Sequence, residues 1–337
     1  MKVKVSDIAK KVGVSSGTVS NALNNRKGIG KDRRDEILKI AHEMGYFKKS
    51  GGETHVLRFV VLNKEAHVVD DTPFFSELIR GIETQSSLLG YELLITHISI
   101  DNKDKSLLDE ILKYDLVDGM VILGTEMEQI DLDVFRHINI PLIFVDVAFR
   151  NQEFDFVAIN NTDGAYEIVE HLIHNGHQKI GLINSIYQIN NFRERKLGYQ
   201  QALINHQLSV YQEFEALVEP NPEGAYNDMI DYLQAMIEEG SELPTAFFAV
   251  NDNIALGALK AFRELKIESS IVGFDDLPIC EYCNPPLTTV RVNKIDLGKK
   301  TINRLVEIIN DKDHSKLKIL IGTDIVKRKS VEHLNHK

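Results

Sequence analysis

Two short apolar patterns with helical spacing open the chain. Ile8, Ala9 and Val12 recur on one face, Val14, Val19, Ala22 and Leu23 on another, and Gly13 lies between them. Steps of three and four place such residues on one side of a helix, so the pattern predicts two short helices meeting at a glycine turn. Ser6 precedes the first pattern and Ser15 opens the second, each placed to cap a helix N-terminus with its hydroxyl. Ala9, Gly13 and Val19 form the skeleton of a helix-turn-helix. The small residue lets the helices cross closely, the glycine takes the turn, and the branched residue locks the second helix. Taken alone, the segment could equally be an ordinary helical hairpin. A third stripe (Ile37, Leu38, Ile40, Ala41, Met44) predicts a helix over 32–44 that Gly45 ends.

From residue 56 the period changes. Short apolar runs suggest strands at 57–62, 91–96, 119–123 and 142–145, with helices at 75–89, 106–114 and 132–137. A second series follows, with strands at 179–183, 216–218, 246–250 and 270–273 and helices at 163–174, 193–206, 225–238 and 253–265. A helix at 294–309 and short strands at 317–321 and 324–326 complete it. Strand–helix alternation of this kind builds parallel sheets covered by helices. The expected fold class is therefore α/β: a three-helix head (1–47), a polar linker (48–55, KKSGGETH) and a body of two doubly wound lobes (56–337). The first lobe is expected to span 56–155 plus 287–320, the second 156–286 plus a terminal strand. A ligand would sit where the strand carboxyl ends of the two lobes face each other.

Charge sharpens this division. Residues 1–50 carry twelve Lys/Arg against five Asp/Glu, and the remainder 27 against 45, a net of +7 beside a net of −18. A basic head on an acidic body implies a polyanion partner for the head alone. The second helix presents Ser15, Ser16, Gly17, Thr18, Ser20 and Asn21 outward, short polar groups suited to a groove and to phosphates. No apolar run approaches a membrane span and the polar start is no signal peptide, so a cytoplasmic location is expected. Cys280 and Cys283 stand C-x-x-C without a second ligand pair and read as incidental thiols. His171, His174 and His177 sit three apart, but Gly176 ends the helix before the third, so no metal is expected. No nucleophile, base and orienting group stand together, and no glycine-rich phosphate loop follows a strand. An enzyme is not expected, nor is a cofactor.

With head and lobes in hand, the chain resembles the lactose/galactose repressor (LacI/GalR) family of bacterial transcription regulators. The likeness runs from about Val5 to Arg328. It is carried by VSDIAKKVGVSSGTVSNALN and EILKIAHEMGY in the head, and by TPFFSELIRGIE, VDGMVILG and PLIFVD in the first lobe. The second lobe contributes NNTDGAYEIVEHLIHNGHQKIGLI, RERKLGYQQAL, FAVNDNIALGALKAF, VGFDD and PPLTTVRVNKIDLG. The resemblance implies a periplasmic-binding-protein-like body that holds a small effector, usually a sugar or sugar phosphate. It also implies a homodimer that places two heads on a pseudopalindromic operator, with the protein acting as a repressor. It assigns Ser6, Ser15, Ser16, Gly17, Thr18, Ser20, Asn21 and Asn24 to DNA, and Phe74, Phe75, Asp146, Arg195, Asn251 and Asp275 to the effector. Carboxylates and an amide suit sugar hydroxyls, and an arginine fork clamps paired oxygens. Plainer roles stay open: Asn251 and Asp252 as helix caps, Asp275 as a turn cap, Phe74 or Phe75 as core.

Two features depart from the family pattern. The P-x-x-x-A-R-S-L hinge, whose leucine wedges into the minor groove, is missing from the short FKKSGGETHVL connection. LKIESSIVGFDD also lacks the P-E-D-I-type turn before its strand. Within the same class, a carbon-catabolite regulator whose corepressor is a phosphorylated carrier protein fits the same scaffold. A carbohydrate-binding protein without DNA function would have an export signal and no basic head.

Overall fold

The computed structural model describes residues 4–23, 30, 33–34, 36–37, 40–41, 44, 55–64, 73–99, 111, 117–150, 153–311 and 315–334. The chain divides into two units, Met1–Val56 and Leu57–Lys337.

In the first unit, α1 (Val5–Val12) and α2 (Ser16–Leu23) bury Ile8, Ala9, Val12, Val19 and Ala22 against Ile37 and Ala41 of a third helical stretch. Gly13 takes φ 74°, a left-handed conformation that glycine adopts without penalty, and the Gly13 and Val14 amides both donate to the Ala9 carbonyl. Ser15 caps α2 as expected, its hydroxyl accepting from the Thr18 amide at 3.1 Å. Ser6 does not cap α1. Lys4 holds the cap position, and the Asp7 carboxylate reaches back to accept its amide at 2.8 Å. The helix thus starts two residues early and leaves Ser6 exposed in its first turn. Arg33 donates to the carbonyl of Val12 at 3.0 Å and so closes the C-terminus of α1. Asn24 and the linker residues 48–54 lie outside the described residues, as does the expected helix 106–114 except Ile111. His55, expected in the linker, opens the first strand.

The second unit has two six-stranded sheets. One contains β1 (His55–Asn63), β2 (Tyr91–Ser99), β3 (Gly119–Leu123), β4 (Leu142–Val145), β5 (Asp155–Ile159) and β11 (Lys318–Ile321), in the order β2-β1-β3-β4-β5-β11. The other contains β6 (Ile180–Ser185), β7 (Glu215–Val218), β8 (Ala246–Ala249), β9 (Ser270–Asp275), β10 (Thr288–Val292) and β12 (Thr323–Val326), in the order β7-β6-β8-β9-β10-β12. Strands such as GMVIL, LIFV and AFFA are buried along their whole length because helices cover both faces of a parallel sheet. The helices are α3 (Pro73–Leu88) on the first lobe, α4 (Asn161–His174), α5 (Asn190–Asn205), α6 (Pro222–Glu238) and α7 (Asp252–Leu265) on the second, and α8 (Lys294–Asn310), which packs against α3.

The chain crosses between lobes three times, and this shifts the expected boundaries. β5 belongs to the first sheet, pairing with β4, so the first crossing comes after Ile159 rather than at 156. β10 pairs with β9 in the second sheet, so the return comes after Val292 rather than at 287. Neither strand was expected, since each abuts a crossing where the sequence pattern was read as a boundary. One strand also breaks the all-parallel expectation: β12 runs antiparallel to β10. The reason is geometric. β11 ends at the cleft, and after the single residue Gly322 the chain enters the second sheet from its cleft edge, against the direction of its neighbours. The expected helix 132–137 is a 3-10 segment, Gln129–His137. Its three-residue repeat sets Leu132 and Phe135 on one face, and both are buried.

Candidate functional site

The parallel strands of both sheets point their carboxyl ends into the cleft between the lobes, the position where doubly wound folds hold ligands. Asp146 follows β4, Asp275 ends β9, and Asn251 follows β8; Arg195 stands on the second turn of α5, and Phe74 and Phe75 open α3. All six residues expected at an effector site line one cavity.

Arg195 is its centre. The side chain is buried, yet each arm of the guanidinium has an acceptor: Nε donates to Asn161 Oδ1 at 2.9 Å, Nη1 to the Val250 carbonyl at 2.7 Å, and Nη2 to Asp275 Oδ1 at 3.2 Å. Its Cζ lies 3.7 Å from the centroid of the Phe274 ring. Three of five donors are thereby engaged, and the planar fork is held rigid with up to two N–H groups to spare.

The carboxylates flanking it sit on strained backbone, and Asp146 is closed off from solvent. Asp146 and Asp275 have φ of 64° and 114°, conformations that non-glycine residues rarely adopt, and these turn both side chains off their strand ends. Asp146 accepts from the Thr125 hydroxyl at 2.6 Å through Oδ2. Its Oδ1 is buried with no hydrogen-bond partner among the described residues, although the Asn191 amide stands near enough to ease its charge. Burial pushes the Asp146 carboxyl up to about 7, against the opposing pull of Thr125 and Arg195. Burial also raises Asp275, opposed by Arg195 and Lys294. Lys294, itself buried, donates to the Asp275 carbonyl and holds that strained backbone in place.

Asn251 has two jobs. Its Oδ1 caps α7 by accepting from the Ile254 amide at 2.9 Å, while its amide N–H groups remain at the cleft wall. Asp252 serves structure alone: it accepts from Thr289 Oγ1 at 2.6 Å and the Leu277 amide at 2.8 Å, tying α7 to β10 and to the segment after β9. Phe74 is mostly core and Phe75 half-buried; the two rings meet edge-to-face at 5.0 Å.

Sequence reasoning missed Thr125, Asn161, Asn191 and Lys294. Asn161 accepts from Arg195 and donates to Asn191 Oδ1 at 3.2 Å, so the three form one network. The only signal was position: Thr125 and Asn161 lie just past strand ends, where cleft residues gather. The remaining chemistry-bearing residues fall elsewhere. His177 bonds Thr245 Oγ1 and the Glu332 carbonyl, a structural role. His171 contacts the Asn175 side chain. Cys280 and Cys283 are free thiols; burial and the Asp252 carboxylate raise the former, leaving it unreactive.

In the head, Ser15, Ser16 and Gly17 are exposed, and Thr18, Ser20 and Asn21 half-buried, along α2. A Cβ on Gly17 would meet only Ser15 Oγ, at 3.6 Å, so its surface is open.

Residues 4–48 match the family profile described as bacterial regulatory proteins, lacI family, and residues 169–331 match a periplasmic binding protein-like domain. Over 344 residues the chain is 31% identical to the HTH-type transcriptional repressor PurR of Haemophilus influenzae, covering 98% of this chain and 99% of that one. Two solved structures share the fold over 98% of this chain and 100% of theirs. One is the lac repressor dimer bound to operator and the anti-inducer ONPF (TM-score 0.73, 23% identity). The other is a complex of the transcriptional regulator CelR with cellobiose (TM-score 0.71, 19% identity).

Proposed function

The chain belongs to the lacI family of bacterial regulatory proteins and is a DNA-binding transcriptional regulator, and we propose that it is a repressor whose operator affinity is set by a sugar or sugar derivative held around Arg195. The observation that carries the reading is the cleft's donor and acceptor set. A guanidinium fixed by three acceptors, the unpartnered Asp146 Oδ1, the Asp275 carboxylate and the Asn251 amide offer alternating partners to hydroxyls that both donate and accept. Phe75 offers an aromatic flank for a ring. Cellobiose on CelR, a relative in fold, agrees with that ligand class.

The working form is a homodimer that sets two heads on a pseudopalindromic operator, without catalytic activity and in the cytoplasm with its DNA. No described helix is long and apolar enough to cross a membrane. In this reading α2 enters the major groove with Ser16, Thr18 and Asn21, while Ser15 lies near phosphate at the helix N-terminus. Ser6, outside the cap, and Ser20 approach the backbone.

A thermal-shift panel tests the effector. A ligand of the folded body stabilises it by RT ln(1 + [L]/Kd), so a matching sugar raises Tm and changes operator affinity together. A flat response across all sugars counts against this reading and favours the phosphorylated carrier protein as corepressor. DNA selection with and without the active sugar then gives the operator.

Asn21→Ala is expected to weaken operator binding by roughly 1–3 kcal/mol while leaving random DNA unaffected, if its side chain reads a base in bidentate fashion. Binding titrations on both DNAs check this; equal loss on each would remove Asn21 from base readout.

Effector affinity should also depend on pH. A ligand donor at Asp146 Oδ1 binds the carboxylate, and the free protein's carboxyl titrates at about 7. Binding therefore releases a proton, and affinity rises as pH passes upward through neutrality. Calorimetry in buffers of different ionisation enthalpy measures that proton, and Asp146→Asn should abolish it. Uptake of a proton instead would contradict the assignment.

A further inference from the structure

The helices that bear the cleft residues have a second cluster at their other ends. α4 and α5 run side by side, with Asn161 and Arg195 near their N-termini and Glu170, His174 and His206 near their C-termini. Glu170 and His174 are four apart and so share one face of α4, and His206 is the C-cap of α5. His206 Nε2 lies 2.9 Å from Glu170 Oε1, and the His174 and His206 rings meet edge-to-face at 5.6 Å. One ligand atom from each of the three residues comes within 4.8 Å of the other two.

The C-terminal segment adds a third imidazole. The Leu334 amide donates to the Asn175 carbonyl at 2.8 Å, and Glu332 holds His177 through its carbonyl. These contacts pin the segment to the turn after α4, and the exposed His333 between them lines the same hollow as His174 and His206.

We propose that Glu170, His174 and His206 form a binding site for a divalent transition-metal ion of the zinc type, with a fourth position open to water or to His333. Two imidazoles and a carboxylate are the donor set such an ion takes, and the short Glu170–His206 contact places two donors where the ion would replace the proton between them. The ion would lie at the C-terminal ends of two helices, where backbone carbonyls concentrate negative potential. The Tyr166 hydroxyl, 3.4 Å from Glu170 Oε1, supplies an outer partner that orients the carboxylate. His171 and His177 take no part, being engaged by Asn175 and by Thr245 and Glu332. A bound ion would cross-link α4 to α5 at the end opposite Arg195 and stiffen the pair that supports the effector cleft.

The test uses full-length, untagged protein stripped with a chelator. Zinc chloride is titrated by calorimetry, and cobalt chloride by its visible spectrum. One zinc per chain at micromolar affinity or tighter is expected, with the cobalt bands of a four-coordinate site and a Tm that rises with added zinc. His174→Ala and His206→Ala should each weaken zinc binding by about tenfold or more. Both residues reach the surface, so the metal-free variants should melt with the parent; Glu170→Gln supplies a third, near-isosteric variant. Absence of stoichiometric zinc binding overturns the site. So does zinc binding that persists unchanged in both histidine variants, which would leave Glu170 and His206 as a surface ion pair.

Discussion

Arg195→Ala is expected to leave the protein blind to its effector and to destabilise the body by about 3–5 kcal/mol, the cost of breaking a buried ion pair from one side. Without the guanidinium, the Asp275 carboxylate loses its ion-pair partner, and Asn161 Oδ1 and the Val250 carbonyl lose a donor inside a closed wall. The Phe274 face loses the cation stacked on it. Effector affinity should fall by roughly 100-fold or more, since a charge-assisted fork and the order it imposes on the second lobe's cleft wall vanish together. Arg195 also lowers both Asp146 and Asp275, so its removal lets both carboxyls rise further. A buried acid raised above its unfolded value is bound to a proton in the native state that the unfolded chain has already released. Stability of the variant should therefore decline more steeply than that of the parent as pH rises through neutrality. Urea melts across that range and effector titrations provide the check. Arg195→Lys restores the charge but cannot reach three acceptors at once, and it should recover stability only in part. A variant that binds effector as tightly as the parent would remove Arg195 from the site.

Gly198→Val should be nearly as damaging without touching a ligand. Gly198 lies where α5 crosses α4, and a Cβ there would stand 2.1 Å from the Thr162 carbonyl and 2.9 Å from Ala165 Cβ. The nearest obstacle is backbone, so the helices must separate. Overpacking of this kind costs about 1–3 kcal/mol or more, and strain in a branched side chain adds to it. Arg195 is one turn away on α5 and bonds Asn161 on α4, so separating the helices pulls that contact apart. Lowered Tm with weakened effector binding is the expected pair of results. A valine variant with parental Tm would show that the crossing can relax.

Legibility followed chemistry and period. The helices of the second lobe were read to within about three residues at their starts because their apolar faces repeat over three or more turns. β5 and β10 were missed because a five-residue strand beside a crossing looks like part of a connection. Residue type makes Ser6 the expected cap, yet the helix begins two residues earlier, where the Asp7 carboxylate accepts the amide of Lys4 at the cap position. The six cleft residues expected from family motifs do come together, while Thr125, Asn161, Asn191 and Lys294 carry residue types too common to stand out. Their part is to satisfy partners supplied by distant strands.

What the sequence by itself determined is local and repetitive: a basic helix-turn-helix with a glycine turn, the alternation that makes two parallel sheets, and the division of charge between head and body. These follow from side-chain period and composition, which act over a few residues. Only the tertiary structure decided which lobe owns β5, β10 and β12, how Arg195 is locked by three acceptors, and why Asp146 titrates near neutrality. It alone brought Glu170 and His174 to His206. Each of these depends on burial and on contacts between segments tens to more than a hundred residues apart. Burial sets the cost of an unpaired charge, and no linear pattern records which partner removes it.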